Sequence, residues 1–109
     1  MSFGLDVRVD HPDGYSSMFE VVDGHTYNLA PMWCKALGIN STSDLGGMKC
    51  ADLSEGLKTA LVDIARNRRE YEALNPANGW GDYDGFREIF TRFAFTVWEH
   101  PTGVVEWNG

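Results

Sequence analysis

The residues with the most chemical potential lie in the segment NPANGWGDYDGF, residues 75–86, which separates two helical patterns. A plain linker needs one or two turn residues, whereas this segment places Trp80 between two glycines and Tyr83 between two acids. An indole that its neighbours leave accessible can stack on a ligand or anchor a protein interface. In the alternative interpretation, Trp80 folds back as a lid on the core. The sequence leaves both interpretations open.

A second candidate segment is HTYNLAPMW, residues 25–33, where a strand pattern gives way to a helix. The N-terminus of a helix has free N–H groups and a positive dipole end, which suit an anionic group. The structural alternative is local capping by Asn28 with core packing by Met32 and Trp33. The candidate binding residues of the two segments are Tyr27, Asn28, Met32, Trp33, Asn78, Gly79, Trp80, Gly81, Asp82 and Tyr83.

Together, TYNLAPMWCKALG and YEALNPANGWGDYDGF resemble a family of small uncharacterised phage and actinobacterial proteins. The family pattern has a Y-N-x-x-P-M-W segment before a central helix and an N-P-x-N-G-W-G-x-Y loop after it. This resemblance covers most of the chain and is sharpest at residues 27–33 and 75–83. It implies a phage or bacterial cytoplasmic origin and no mechanism. Both segments precede helices, so we expect them at the same end of the sheet.

Signatures of catalysis and metal binding are weak. The chain has no phosphate-binding loop, HExxH, GxSxG or EF-hand pattern, and its histidines and cysteines lack metal-ligand spacing. Cys34 with His25 or His100 is a conceivable nucleophile and base, but Cys34 lies in an apolar turn and reads as a core residue. We therefore expect two free cysteines, no metal and no cofactor, and we lean against an enzyme.

The charge balance narrows the class of partner. The formal net charge is −7, which argues against direct binding to nucleic acid because phosphate neutralisation needs clustered Lys and Arg. Acidic mimicry of nucleic acid is a further hypothesis, although the acids are scattered along the sequence. No apolar run is long enough to span a bilayer and no secretory signal opens the chain, so we expect a cytoplasmic protein without membrane contact.

The elements that must position these segments follow from periodicity. Alternation predicts a strand over residues 5–10, and β-prone runs on either side of Asp23-Gly24 predict a hairpin with its turn at that pair. Pro31 and Gly38 bracket a short helix over residues 31–37. Residues 104–107 predict a last short strand.

Two long helices fill the rest of the chain. The first is predicted to open at Asp52, with Glu55 in capping-box spacing, and to run to about Asn67. The second follows a cap at Asp82 or Asp84, and its residues Phe95 and Trp98 indicate burial on more than one side.

We predict a single α+β domain over residues 1–109. A small, mostly antiparallel sheet, formed by the N-terminal strand, the hairpin and the C-terminal strand, is covered by two long helices plus one short helix. The predicted function is a non-enzymatic binding module, a phage accessory protein that engages a host protein through the Trp80 loop and residues 27–33. The alternative is a binder of, or enzyme for, an anionic metabolite or nucleotide. The oligomeric state stays open, with a dimer as one option.

Overall fold

Three strands form one antiparallel sheet in the computed structural model, which describes all residues 1–109. They are β1 (Ser2–Asp10), β2 (Ser16–Thr26) and β3 (Val104–Asn108), in the spatial order β2-β1-β3. Both partners of the central strand run antiparallel to it. The α+β class predicted from the sequence, with a small antiparallel sheet and helices packed against it, is confirmed.

The predicted hairpin turn at Asp23-Gly24 is wrong. β2 runs through this pair without interruption, and it contains one extra residue there relative to β1, which makes a β-bulge. A second extra residue, Val21, shifts the register again between Val22 and Glu20. Gly24 has φ +60°, so the tolerance for positive φ that indicated a turn serves the bulge instead. The actual hairpin turn joins β1 to β2, where the His11 N–H donates to the Tyr15 carbonyl over 2.7 Å.

The helices are α1 (Ala30–Leu37), α2 (Cys50–Arg66), α3 (Arg68–Glu72) and α4 (Tyr83–Glu99). α4 packs on the covered face of β1 and β2, and α2 packs against α4 and α1. α1 ends at Gly38 in the left-handed conformation, as predicted. None of the helices is long and apolar enough to cross a membrane.

The start of α2 differs from the prediction. The helix begins at Cys50 rather than Asp52, and its N-cap, Lys49, makes no side-chain cap. Asp52 therefore lies in the first turn, where a carboxylate interacts favourably with the helix dipole. The chain does contain a capping box, but Ser41 and Asp44 form it at a 3-10 turn over Thr42–Leu45.

The core is organised around Trp33 of α1, whose side chain has no exposed surface. Its ring packs at 4.9 to 5.9 Å between centroids against three phenylalanines of α4, namely Phe86, Phe90 and Phe93. The helical spacing of those residues explains why α4 presents one apolar stripe. The predicted burial of Phe95 is wrong, because 55% of that residue is exposed.

Candidate functional site

The loop between α3 and α4 holds Trp80 out into solvent, with 68% of the residue exposed. That exposure excludes the lid interpretation. The loop is nevertheless ordered by local hydrogen bonds, because the Trp80 N–H donates to Asn78 Oδ1 over 3.0 Å. Gly79 and Gly81, at φ +76° and +96°, provide the left-handed conformations that a side chain would disfavour. The indole is therefore an exposed aromatic group on a defined turn.

Gly81 also fixes the loop against the segment before α1. A β-carbon at Gly81 would lie 2.8 Å from Leu29 Cδ1, so the glycine permits a close approach to a buried leucine side chain. From the sequence, both glycines were expected to leave the Trp80 indole accessible to a ligand. Instead, Gly81 makes room for Leu29, whereas the space around Gly79 is open.

The two candidate segments meet at one groove, as expected from their positions before helices. We call it the Trp80 groove; its volume is about 420 Å³. Besides Trp80, it is lined by Met1, Ser2, Gly24, Thr26, Asn28 and Asn78. No Lys or Arg side chain lines it. Its polar side chains carry hydroxyls and amides, which pair with a neutral backbone or amide as readily as with an anion.

Thr26 organises the floor of the groove. Its hydroxyl accepts from the Asn28 N–H at 3.2 Å and from the Asn28 side-chain amide at 3.0 Å. Asn28 is thus held by a capping threonine rather than acting as the cap itself. The sequence analysis did not predict Met1, Ser2, Gly24 or Thr26, although a threonine two residues before Asn28 at the start of a helix is a capping signal.

Three predicted site residues lie in the core. Met32 and Trp33 have no exposed surface and Tyr83 has 2%. The Tyr83 hydroxyl donates to the Ile64 carbonyl over 2.7 Å, and the Arg68 guanidinium lies 4.6 Å above the Tyr83 ring. These residues stabilise the helices and are not available to a partner at the surface.

Two further predicted residues lie beside the groove rather than in it. Asp82 caps α4, since its carboxylate accepts from the Gly85 N–H over 2.8 Å. Tyr27 is half-buried against Phe3 and lines a separate cavity of about 410 Å³ with Pro31 and other residues. Of the predicted residues, the groove therefore retains Asn28, Asn78 and Trp80.

The two thiols are poor candidates for a nucleophile. Burial raises the pKa of Cys50, and burial together with the Asp44 carboxylate raises the pKa of Cys34, so both remain protonated at neutral pH. Neither is in a disulfide. No group of three His, Cys, Asp or Glu side chains lies close enough together to hold a metal ion.

The protonation state of His25 is set by the burial of its ring. This burial lowers the pKa of the imidazole, and Nε2 has no hydrogen-bond partner in the protein. The ring lies edge-on to Phe3 at 5.5 Å and to Trp33 at 5.9 Å. Trp33 Nε1 is also buried without a partner. His25 is thus a neutral member of an aromatic cluster, not a base open to substrate.

Fold and groove together define a class: a small α+β protein that presents one ordered, exposed tryptophan beside a polar groove. Comparison with protein families, curated proteins and solved structures finds no match to this chain. The resemblance to phage and actinobacterial proteins stays a prediction.

Proposed function

We propose that the protein is a non-enzymatic binding module whose partner docks on the Trp80 groove. The observation that supports this most directly is the exposed indole held on an ordered turn. Tryptophan is enriched among residues that dominate binding energy, because it buries a large area at low cost in side-chain entropy. Since the glycine turn and Leu29 already fix the loop, little ordering remains to oppose binding.

The partner we propose is a protein. The resemblance to phage proteins makes it a host protein met in the cytoplasm, with this chain as an accessory factor. The groove supports such a partner through the Asn28 and Asn78 amides, which can donate to or accept from a peptide backbone. An apolar residue of the partner would pack on the Trp80 ring.

Two features weigh against an anionic metabolite as the ligand. The Trp80 groove has no cationic side chain to neutralise a phosphate, and the same holds for the cavity at the start of α1. The N-terminus of α4 already receives the carboxylate of Asp82. Enzyme activity has little support either, because the thiols have raised pKa values and His25 is half-buried against aromatic rings with its Nε2 atom inaccessible.

A native pull-down from host lysate tests the proposal. Wild type would be compared with Trp80→Ala and with a matched control, Phe95→Ala, which removes another exposed aromatic side chain on α4. Circular dichroism first confirms that all three proteins are folded. We expect one host protein to be captured by wild type and Phe95→Ala but not by Trp80→Ala. Equal capture by all three would contradict a site at Trp80.

Mass spectrometry of the purified protein tests the alternative. A nucleotide or acidic metabolite retained by wild type and lost from Trp80→Ala would overturn the protein-binding proposal in favour of a small-molecule site. Protein without a bound small molecule, together with specific capture of a host protein, would support the binding module.

A further inference from the structure

Three carboxylates lie side by side across the open face of the sheet. Asp6 on the central strand pairs directly with Glu20 on one side and with Glu106 on the other. Residues opposite each other in a sheet point to the same face, so we call Glu20, Asp6 and Glu106 the acidic row. Like charges placed directly opposite destabilise strand pairing. The row therefore opposes the stability of the sheet that contains it.

Compensation by cations is incomplete. Arg8 makes ion pairs with Glu106 and with Asp10 on the same face. Asp6 accepts a hydrogen bond from the Asn108 amide over 3.1 Å, and neither Asp6 nor Glu20 has an ion-pair partner. Protection of the sheet edge against aggregation does not account for the row, because Asp6 lies on the central strand.

β2 offers an open hydrogen-bonding edge beside this face. It pairs with β1 on one side only. The outer edge of β3, in contrast, is covered by the chain before α2. The Val105 N–H donates to the Met48 carbonyl, and the Gly47 N–H donates to the Val105 carbonyl, each over 2.8 Å. Lys49 forms a bridge with Val104 at the same place. A strand can therefore be added to this sheet at β2.

We propose that an extended, basic segment of a partner protein adds to the sheet along residues 16–20 of β2, where the strand is regular, and places Lys or Arg side chains over the acidic row. Main-chain hydrogen bonds supply the docking and alternate side chains supply the recognition, as in other cases of strand addition. The inference rests on the proposed function, because it names the chemistry of the partner. It concerns a surface that adjoins the Trp80 groove.

The negative charge of β2 favours a basic segment of a partner over a second copy of this chain. β2 carries Glu20 and Asp23 and no Lys or Arg, so pairing of two β2 strands would bring carboxylates together. The surface is continuous with the Trp80 groove, because Ser2 and Gly24 line both that groove and a cavity of about 290 Å³ that includes Asp6 and Glu20. One partner can therefore contact both surfaces.

The test uses three synthetic nonapeptides with the full-length protein. The first alternates Lys and Val, the second alternates Glu and Val, and the third repeats the Lys peptide with alternate backbone nitrogens methylated. Binding is measured by calorimetry, and the site by amide chemical-shift changes. We expect the Lys peptide to bind and to shift amides of residues 16–20, and the Glu peptide not to bind. Methylation should weaken binding at least about tenfold, because several main-chain hydrogen bonds are lost.

Protein variants complete the test. Glu20→Gln and Asp6→Asn should each weaken the Lys peptide by up to about fivefold. Both should stay folded, because each removes a like-charge contact. Phe95→Ala, which changes an exposed side chain outside both surfaces, should bind the peptide as wild type does. Peptide binding at β2 is measured separately from capture of a host protein at Trp80, so the failure of one proposal is distinguishable from the failure of the other. Equal binding of the Lys and Glu peptides, absence of binding, shifts outside β2, or concentration-dependent self-pairing of β2 would each overturn the inference.

Discussion

Gly81 and Leu29 make the contact that joins the two candidate segments: a β-carbon on Gly81 would lie only 2.8 Å from Leu29 Cδ1. Leu29 is buried at the turn before α1, and Gly81 lies next to the exposed Trp80. The contact therefore links the position of the indole to the core. It also explains why a loop with two glycines can hold an aromatic side chain in a defined place.

Gly81→Ala should destabilise the protein by about 2–3 kcal/mol, because it combines an unfavourable φ with a steric clash. Gly79→Ala is the matched control. Its φ is also positive, but the space around it is open, so we expect a cost of about 1 kcal/mol. Urea unfolding measures both values. Equal losses for the two variants would show that the contact with Leu29 carries no energetic weight.

Tryptophans in the two segments should respond in opposite ways to truncation. Trp80→Ala should change the free energy of unfolding by no more than about 0.5 kcal/mol, since the side chain is exposed. Trp33→Ala should cost about 3–5 kcal/mol, because it leaves a cavity between α1 and α4. Chemical denaturation of both variants checks this. A large loss of stability in Trp80→Ala would contradict the exposed position of its side chain.

Stability should fall on acidification through the range in which His25 titrates. Burial lowers the folded-state pKa of His25 from 6.5, so on acidification the unfolded chain binds a proton at a higher pH than the folded protein does. The contribution is fully present above the unfolded pKa and is lost as the pH falls from about 6.5 toward the lowered value. His25→Phe keeps a ring beside Phe3 and Trp33 and should flatten this dependence. Thermal melts between about pH 7.5 and about pH 5 measure how the stability of each protein depends on pH. An unchanged slope in the variant would contradict the assignment.

Tyr71→Phe tests the link between α2 and α3. The Tyr71 hydroxyl donates to Asp63, and that bond is the main reason why the pKa of Asp63 lies below 3.8. We expect a loss of about 1–2 kcal/mol at neutral pH. A group with a lowered carboxyl pKa stabilises the fold fully above its unfolded pKa, and this stabilisation is lost as the pH falls through the folded pKa. The difference between wild type and variant should therefore shrink progressively as the pH falls below 3.8. Urea unfolding across this range would contradict the prediction if the difference persisted in acid.

The local sequence pattern was sufficient to predict those elements whose structure depends on residues within one segment. Pro31 and Gly38 delimit α1, Asp82 caps α4, and apolar spacing defines the buried stripe of α4, as the sequence predicted. The hairpin prediction failed because an Asp-Gly pair satisfies a turn and a β-bulge equally well, and only the pairing with β1 decides between them. The candidate list included Met32, Trp33 and Tyr83 because residue type does not reveal which side of a helix meets the core.

By itself, the sequence determined the α+β class and placed an unusual tryptophan loop before the last helix. Those conclusions rest on periodicity, turn chemistry and charge, which act over a few residues. Only the tertiary structure decided that Trp80 faces solvent, that Gly81 packs on Leu29, and that scattered acids become one row across the sheet. The physical reason is that strand register and packing bring together residues far apart in the chain, and local propensity does not encode those contacts.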